Sequence, residues 1–125
     1  TYEFMEYSLR LYRNARNRVR SVLEPLAQAG RCRIAIYGTG EAAELTYMCL
    51  KEIGVEPVAN FVENGAAGAF GLRTCRIEEY QTIRVDALIV ATFEDPTALL
   101  TFLEQRGVPR AHLLPIREPA RMETT

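Results

Sequence analysis

The feature that most constrains the fold is a short apolar segment at residues 86–91, Asp-Ala-Leu-Ile-Val-Ala. After its first residue it contains no polar side chain, whereas a strand with one solvent-facing side alternates polar and apolar residues. A strand that is apolar at each position needs cover on both faces, which parallel sheets flanked by helices supply. The segment therefore predicts a central strand of a parallel sheet in an α/β protein.

The residues around this segment alternate between strand and helix patterns. Strands are predicted at 32–37, 55–62, 72–76, 86–91 and 111–116. Helical segments are predicted at 41–53, 77–80 and 96–106, the last with Asp95 as its N-cap and Pro96 at its first position. Right-handed crossovers from the first strand in both directions then predict a Rossmann-like parallel sheet with strand order 3-2-1-4-5.

A long amphipathic pattern precedes these elements. Residues 2–29 predict a helix of roughly 42 Å, longer than the domain that follows is wide. Its apolar arc consists of Phe4, Met5, Leu11, Tyr12, Ala15, Val19, Val22, Leu23 and Leu26. Because this arc continues beyond the domain, we expect the helix to pack against a second copy of the chain or against a domain that precedes Thr1. The alternative is a helix that bends near Pro25 and lies wholly on its own domain.

Composition and charge exclude several classes of partner. The 125 residues are 48% apolar and 25% charged, which is typical of one globular domain. No apolar stretch reaches the roughly 20 residues that a membrane-spanning helix needs. The net charge of −1 gives no general attraction to nucleic acid, and the arginines between Arg10 and Arg20 are expected to form a solvated helix face. We therefore expect neither a membrane nor a direct nucleic-acid partner.

Cysteine and histidine usage argues against a metal site. Cys32, Cys49 and Cys75 are widely spaced, and His112 is the only histidine. We expect buried free thiols in a reducing, cytoplasmic compartment rather than disulfides or metal ligands. Neither a G-x-S-x-G nor an H-E-x-x-H motif occurs, so no catalytic residue and no metal ligand is predicted.

One motif in the sequence indicates a ligand-binding site. The sequence Tyr-Gly-Thr-Gly-Glu-Ala-Ala at 37–43 joins a predicted strand to a predicted helix and matches G-x-G-x-x-A. Gly38 permits a tight turn, Gly40 leaves room for a phosphate near the backbone, and Ala43 lets the helix pack closely on the strand. The first N–H groups of the helix and its dipole favour an anion. The motif therefore predicts a phosphate-binding turn.

The same fingerprint requires an acid about twenty residues further on to hold a ribose hydroxyl, and Glu63 occupies that place at the end of the second predicted strand. The predicted ligand lies across the carboxyl edge of the sheet, where the crossovers diverge. The predicted binding residues are Gly38, Thr39, Gly40, Glu41, Ala42, Glu63, Asn64, Ala91, Thr92 and Phe93. The alternative is a plain strand-to-helix joint that binds nothing, with the carboxylate of Glu41 repelling a phosphate.

These residues carry a family resemblance. The segments 34–43, 61–64, 71–74 and 77–80 together resemble the Rossmann-like N-terminal module of bacterial nucleoside-diphosphate-sugar epimerases and dehydratases. A related domain precedes the left-handed helix of sugar acyltransferases, where it binds a nucleotide sugar. Similar domains also follow winged-helix DNA-binding domains in regulators linked to surface polysaccharide. The resemblance implies NAD(P) or a nucleotide sugar as cofactor or ligand. Ala43 and Glu63 depart from the usual glycine and aspartate, and the Tyr-x-x-x-Lys of the full epimerases is absent.

The motif and the resemblance are compatible with three functions. The first is a nucleotide-, dinucleotide- or nucleotide-sugar-binding domain, acting as a sensor or accessory module of a larger regulator or sugar-metabolism protein. The second is the nucleotide-binding fragment of a sugar epimerase or dehydratase, and the third a dimerisation domain with a vestigial site. The predicted organisation is a helix for dimerisation or linkage at 1–30, a nucleotide-binding domain at 31–116 and a tail at 117–125. The chain begins at Thr1 rather than Met, so either an initiator methionine was removed or the chain is a fragment of a longer protein, and we expect the second.

Overall fold

A computed structural model describes residues 2–29, 33–63 and 71–117, and within the first helix the side chains of 9, 10, 13, 14, 16–21, 23–25 and 28. The α-helices are α1 (Tyr2–Ala29), α2 (Glu41–Glu52) and α3 (Thr97–Gln105). The strands are β1 (Ile34–Tyr37), β2 (Asn60–Val62), β3 (Thr74–Arg76), β4 (Ala87–Val90) and β5 (Leu113–Pro115). Two 3₁₀ helices, Ile77–Thr82 and Arg110–His112, precede β4 and β5.

The five strands form one parallel sheet in the order β3-β2-β1-β4-β5. In the register of this sheet Ile36 is paired with Asn60 of β2 and with Ile89 of β4. Strands β1 and β4 are buried at all four positions. Their apolar sequences thus reflect cover on both faces, and the predicted α/β fold with its strand order is confirmed.

The two faces of the sheet bury two separate apolar clusters. On one face, Ile34, Ile36 and Ile89 pack against α1 and α2. On the other, Tyr37, Leu88 and their neighbours pack against α3 and the first 3₁₀ helix. Successive side chains of a strand point to opposite faces, so β1 supplies residues to both clusters.

The second half of α1 packs on this sheet. Val19 and Leu23 are buried in the same cluster as Ile34 and Ile36. The Arg16 guanidinium lies 3.0 Å from the Glu52 carboxylate on α2, and Arg18 Nε donates to a carbonyl at the end of β5. This half of the helix therefore contributes to the core of the domain.

The remaining apolar arc is not tested. Phe4, Met5, Leu11, Tyr12, Ala15, Val22 and Leu26 lie outside the described side chains, so the predicted seam with a second copy stays a prediction. Within the described part of the chain, Leu9 on α1 is 62% exposed. No helix among the described residues combines the length and the apolar character needed to cross a bilayer.

Several predicted elements are shorter in the structure. Strand β2 begins at Asn60 rather than residue 55, because Pro57 cannot donate a hydrogen bond to a ladder. Strand β3 begins at Thr74 rather than 72, and β5 at Leu113, since a 3₁₀ turn occupies 110–112. Helix α3 begins at Thr97 with Pro96 as its N-cap, and Asp95 Oδ1 accepts hydrogen bonds from the backbone N–H and hydroxyl of Thr97.

The packing of α1 predicts a large difference between two leucine substitutions on this helix. Leu23→Ala removes a side chain that is only 1% exposed, and we expect it to lower the free energy of unfolding. The expected loss is about 2–5 kcal/mol. The matched control Leu9→Ala, at an exposed position, should change it by less than about 0.5 kcal/mol. Urea unfolding followed by circular dichroism measures both; equal losses would contradict the packing of α1 on the sheet.

Candidate functional site

The carboxyl end of β1 is hydrogen-bonded to β2 on one side and to the end of β4 on the other. Gly38 N–H donates to Phe61 O at 2.9 Å, and Ala91 N–H donates to Tyr37 O at 3.0 Å. Gly38 has φ +120°, and a Cβ added there would lie 3.1 Å from Ala91 O. Glycine is needed at 38 for its backbone conformation and for the close approach of the β4 end.

The buried side-chain amide of Asn60 stabilises the glycine turn that follows β1. The Asn60 side chain is fully buried on β2, and its Nδ2 donates to Ile36 O at 3.2 Å and to Gly38 O at 3.0 Å. A buried polar group is stable when it is hydrogen-bonded in this way. Asn60 therefore fixes the path of the chain where it leaves β1.

The second glycine of the motif, Gly40, lies at the start of α2. The residue is the N-cap of α2 with φ +94°, and an added Cβ would have no neighbour within 4 Å. The positive φ by itself favours glycine at this position, and the predicted approach of a phosphate to Gly40 stays a prediction. No side-chain hydrogen bond caps this helix start, and Glu44 N–H is the first helical donor that bonds back, to Gly40 O. The earlier N–H groups of α2 have no partner within the helix.

Two adjoining clefts open beside the glycine turn. The proximal cleft has a volume of about 280 Å³ and is lined by Tyr37, Gly38, Thr39, Val62, Glu63, Ala91 and Leu99. The distal cleft has a volume of about 450 Å³ and is lined by Tyr37, Val62, Glu63, Ile77, Glu78, Phe102 and Arg106. The clefts share Tyr37, Val62 and Glu63, so they form one depression across the ends of β1 and β2. The volume of the larger cleft lies within the roughly 300–1,000 Å³ of small-molecule sites.

Tyr37 is the buried polar group of this depression. The residue is only 3% exposed, and its hydroxyl has no hydrogen-bond partner among the described residues. Burial raises the pKa of the phenol above its ordinary value, and the nearby carboxylates of Glu63 and Glu78 raise it further. The phenol is therefore neutral at physiological pH. An unpaired buried hydroxyl costs roughly 1–3 kcal/mol, which a hydrogen-bonding ligand would offset.

The wall of the distal cleft combines charge with an apolar surface. Arg106 Nη1 lies 3.7 Å from Glu78 Oε2, and both side chains are about half exposed. The guanidinium carbon of Arg106 lies 4.9 Å from the centre of the Phe102 ring. This arrangement gives the wall one carboxylate, one partly compensating cation and one aromatic ring.

The structure brings part of the predicted set together. Gly38, Thr39, Glu63 and Ala91 line the proximal cleft. Gly40, Glu41 and Ala42 form the start of α2, where Ala42 is buried in the core. Asn64 lies outside the described residues.

The predicted Thr92 and Phe93 point elsewhere. Neither is among the described lining residues of the two clefts. Thr92 Oγ1 accepts from Glu94 N–H at 3.1 Å in a local turn. Phe93 packs against the apolar cluster of α1 and α2, on the other face of the sheet from Tyr37. Neither residue lines the described clefts, and the binding role predicted for them stays a prediction.

Sequence reasoning predicted Glu63 but none of the other residues that line the distal cleft, and it did not predict Leu99. One signal was available: Tyr37 is the only polar side chain in an otherwise apolar strand, directly before the glycine turn. A second is the spacing of Leu99, Phe102 and Arg106, which share one face of the α3 segment. The pairing of this face with Glu78 depends on the tertiary fold.

The two cysteines that the structure describes are free thiols. Cys49 and Cys75 are buried free thiols, and burial raises the pKa of both. Cys32 lies outside the described residues. No group of three or more metal-ligating side chains occurs among the residues that the structure covers.

Comparison of the whole sequence with known proteins does not assign the chain to a family. No protein-family model matches the chain, and no curated protein is significantly similar to it.

The close approach at Gly38 predicts unequal effects of two alanine substitutions. Gly40→Ala introduces strain at a positive φ and should lower the free energy of unfolding by about 1–3 kcal/mol. Gly38→Ala should lower it by more, because the new Cβ also meets Ala91 O at 3.1 Å. Equilibrium unfolding in guanidinium chloride compares the two; equal losses would contradict the contact between the β1 and β4 ends.

The surroundings of Tyr37 predict its titration. In the folded protein the phenol should ionise above the ordinary pKa value of 10.0, because the phenolate would be buried beside two carboxylates. Ionisation of this group leaves the free energy of unfolding unchanged below the ordinary pKa and lowers it as the pH rises through the raised pKa. The difference between the phenolate absorbance titrations of wild type and Tyr37→Phe isolates this group. The same difference for Tyr80→Phe provides a reference, since burial raises the pKa of Tyr80 to about 12. A midpoint at or below 10 for Tyr37 would contradict the described geometry.

Proposed function

We propose that this chain binds a nucleotide, dinucleotide or nucleotide sugar at the carboxyl edge of β1 and β4, with NAD(P) and nucleotide sugars as the leading ligands. The observation that carries the proposal is the glycine turn at the uncapped start of α2, directly beside a cleft. Free backbone N–H groups and the positive end of a helix dipole favour a phosphate at such a place. Open parallel sheets also bind ligands at this edge, where the crossovers diverge.

The carboxylate of Glu63 at the edge of the clefts favours a nucleotide rather than a free phosphate as the ligand. Glu63 directly follows β2, is exposed and lines both clefts. A carboxylate in this position accepts hydrogen bonds from the hydroxyls of a ribose. The proposed ligand therefore places its phosphate at the glycine turn and its ribose towards Glu63.

The proposed role is that of a sensor or accessory module rather than a catalyst. The residues that line the proximal cleft offer the Glu63 carboxylate and the hydroxyls of Thr39 and Tyr37, without a general base held by a second group among the described residues. In this role the domain is cytoplasmic and forms part of a larger regulator or sugar-metabolism protein. It is joined to a second copy or another domain through residues 2–29. The dimerisation alternative rests on the apolar arc that the sequence predicts along residues 2–29.

A ligand panel tests the proposal directly. Thermal unfolding of the protein is measured alone and with NAD, NADP, UDP-glucose and coenzyme A. A ligand that binds only the folded state raises the midpoint in a concentration-dependent way, and titration calorimetry then gives its affinity. An unchanged midpoint with each of the four compounds would overturn the proposal.

A pair of charge substitutions tests where the phosphate binds. Thr39→Glu adds a negative charge at an exposed position of the turn and should weaken binding by about tenfold or more. Glu41→Gln removes a negative charge from the first turn of α2 and should tighten binding by about two- to fivefold.

Glu56→Gln is the matched control for these variants. Glu56 is exposed beyond the opposite end of α2, where it pairs with Lys51, so this variant changes the net charge without touching the turn. We expect its affinity to equal that of wild type. Equal affinities for all four proteins would show that the phosphate does not lie at the start of α2.

A further inference from the structure

We propose that the distal cleft is a subsite for an uncharged, hydroxyl-bearing ring of the ligand, held by a hydrogen bond to the Tyr37 hydroxyl and by the Glu63 and Glu78 carboxylates. The inference rests on the proposed function, since the same ligand would place its phosphate at the glycine turn. It assigns roles to Tyr37, Glu78 and Phe102, which the glycine motif does not predict.

The first argument is the unsatisfied hydroxyl. Tyr37 is 3% exposed, lines both clefts, and has no hydrogen-bond partner for its hydroxyl among the described residues. The other buried tyrosine on this face, Tyr80, shows the usual arrangement: its hydroxyl lies 2.8 Å from His112 Nδ1. Tyr37 lines both clefts as a residue, and a ligand that reaches its buried hydroxyl from the clefts would supply the partner that the described residues do not.

The second argument is the charge of the cleft. Glu63 and Glu78 both act on the Tyr37 phenol, whereas Arg106, 3.7 Å from Glu78, is the one cation among the described residues that line the distal cleft. The described side chains thus leave one carboxylate without a compensating charge in the lining. A phosphate or carboxylate group of a ligand would be repelled here, so the anionic part belongs at the glycine turn and an uncharged part in the distal cleft.

The third argument is the match of donors and acceptors. Carboxylates only accept hydrogen bonds, while a neutral phenol can donate one. A ring with several hydroxyls satisfies both, because each hydroxyl donates one hydrogen bond and can accept others. The Phe102 ring, with the Arg106 guanidinium 4.9 Å from its centre, adds an apolar wall for the C–H face of such a ring.

Two parts of a nucleotide ligand have this chemistry: the ribose and the hexose of a nucleotide sugar. The test therefore uses inorganic pyrophosphate, UDP, NAD and UDP-glucose as probes, each titrated by calorimetry into wild type, Tyr37→Phe and Glu78→Gln. If the subsite holds a ribose, both variants should bind UDP, NAD and UDP-glucose with an affinity about three- to tenfold lower than that of wild type. If it holds the hexose, only UDP-glucose should lose affinity. In both cases pyrophosphate should bind the variants as it binds wild type.

Tyr80→Phe is the matched control. It removes a hydroxyl from the other buried tyrosine on the same face of the sheet, and Tyr80 is not among the described lining residues of either cleft. We expect it to melt at a lower temperature than wild type, because it loses the contact with His112, yet to bind each probe unchanged. Tyr37→Phe should melt at or above the wild-type temperature without ligand, since it removes a buried hydroxyl that has no partner among the described residues.

The outcomes separate the two proposals. Wild-type affinities in both cleft variants for every probe that binds would overturn the subsite and leave the proposed function standing. An equal loss of pyrophosphate binding would also overturn it, because the variants would then act on the phosphate or on the fold. A wild-type protein that binds none of the four probes overturns the proposed function for these ligands, and the subsite with it.

Discussion

Parallel pairing of β1 with β2 and β4 is the constraint on which the rest of the molecule depends. The pairing brings the ends of these strands to one edge, where Gly38 lies between Phe61 O and Ala91 O. The chain can leave β1 at this point only through a residue without a side chain, and the fully buried Asn60 amide holds the turn in place. The start of α2 and both clefts take their positions from this arrangement.

The same pairing separates the polar chemistry of the site into two regions. The glycine turn presents backbone N–H groups at the start of α2, which favours negative charge. The distal cleft is lined by the carboxylates of Glu63 and Glu78 and by the neutral phenol of Tyr37, and these carboxylates disfavour a further negative charge. A ligand with an anionic end and an uncharged polar end would satisfy both regions in one orientation.

The two faces of the sheet contribute differently to this site. Helices α1 and α2 cover one face, and α1 reaches the core through Val19 and Leu23. The face covered by α3 and the first 3₁₀ helix lies open beside the strand ends, where Phe102 and Arg106 border the distal cleft. Changes in α1 should therefore act mainly on stability, and changes in α3 on the shape of the cleft.

The sequence by itself determined the α/β fold, the strand order and the place of the glycine turn, because these depend on local patterns. Apolar runs at β1 and β4 require cover on both faces, and right-handed crossovers then leave one order for the strands. Glu63 and Ala91 were predicted beside the turn because they follow neighbouring strands. Only the tertiary structure decided that Phe93 turns away, that Gly40 has a positive φ, and that Tyr37 has no partner among the described residues. These features depend on which side chains from distant segments meet, such as Glu78 and Arg106, and no local pattern specifies such a meeting.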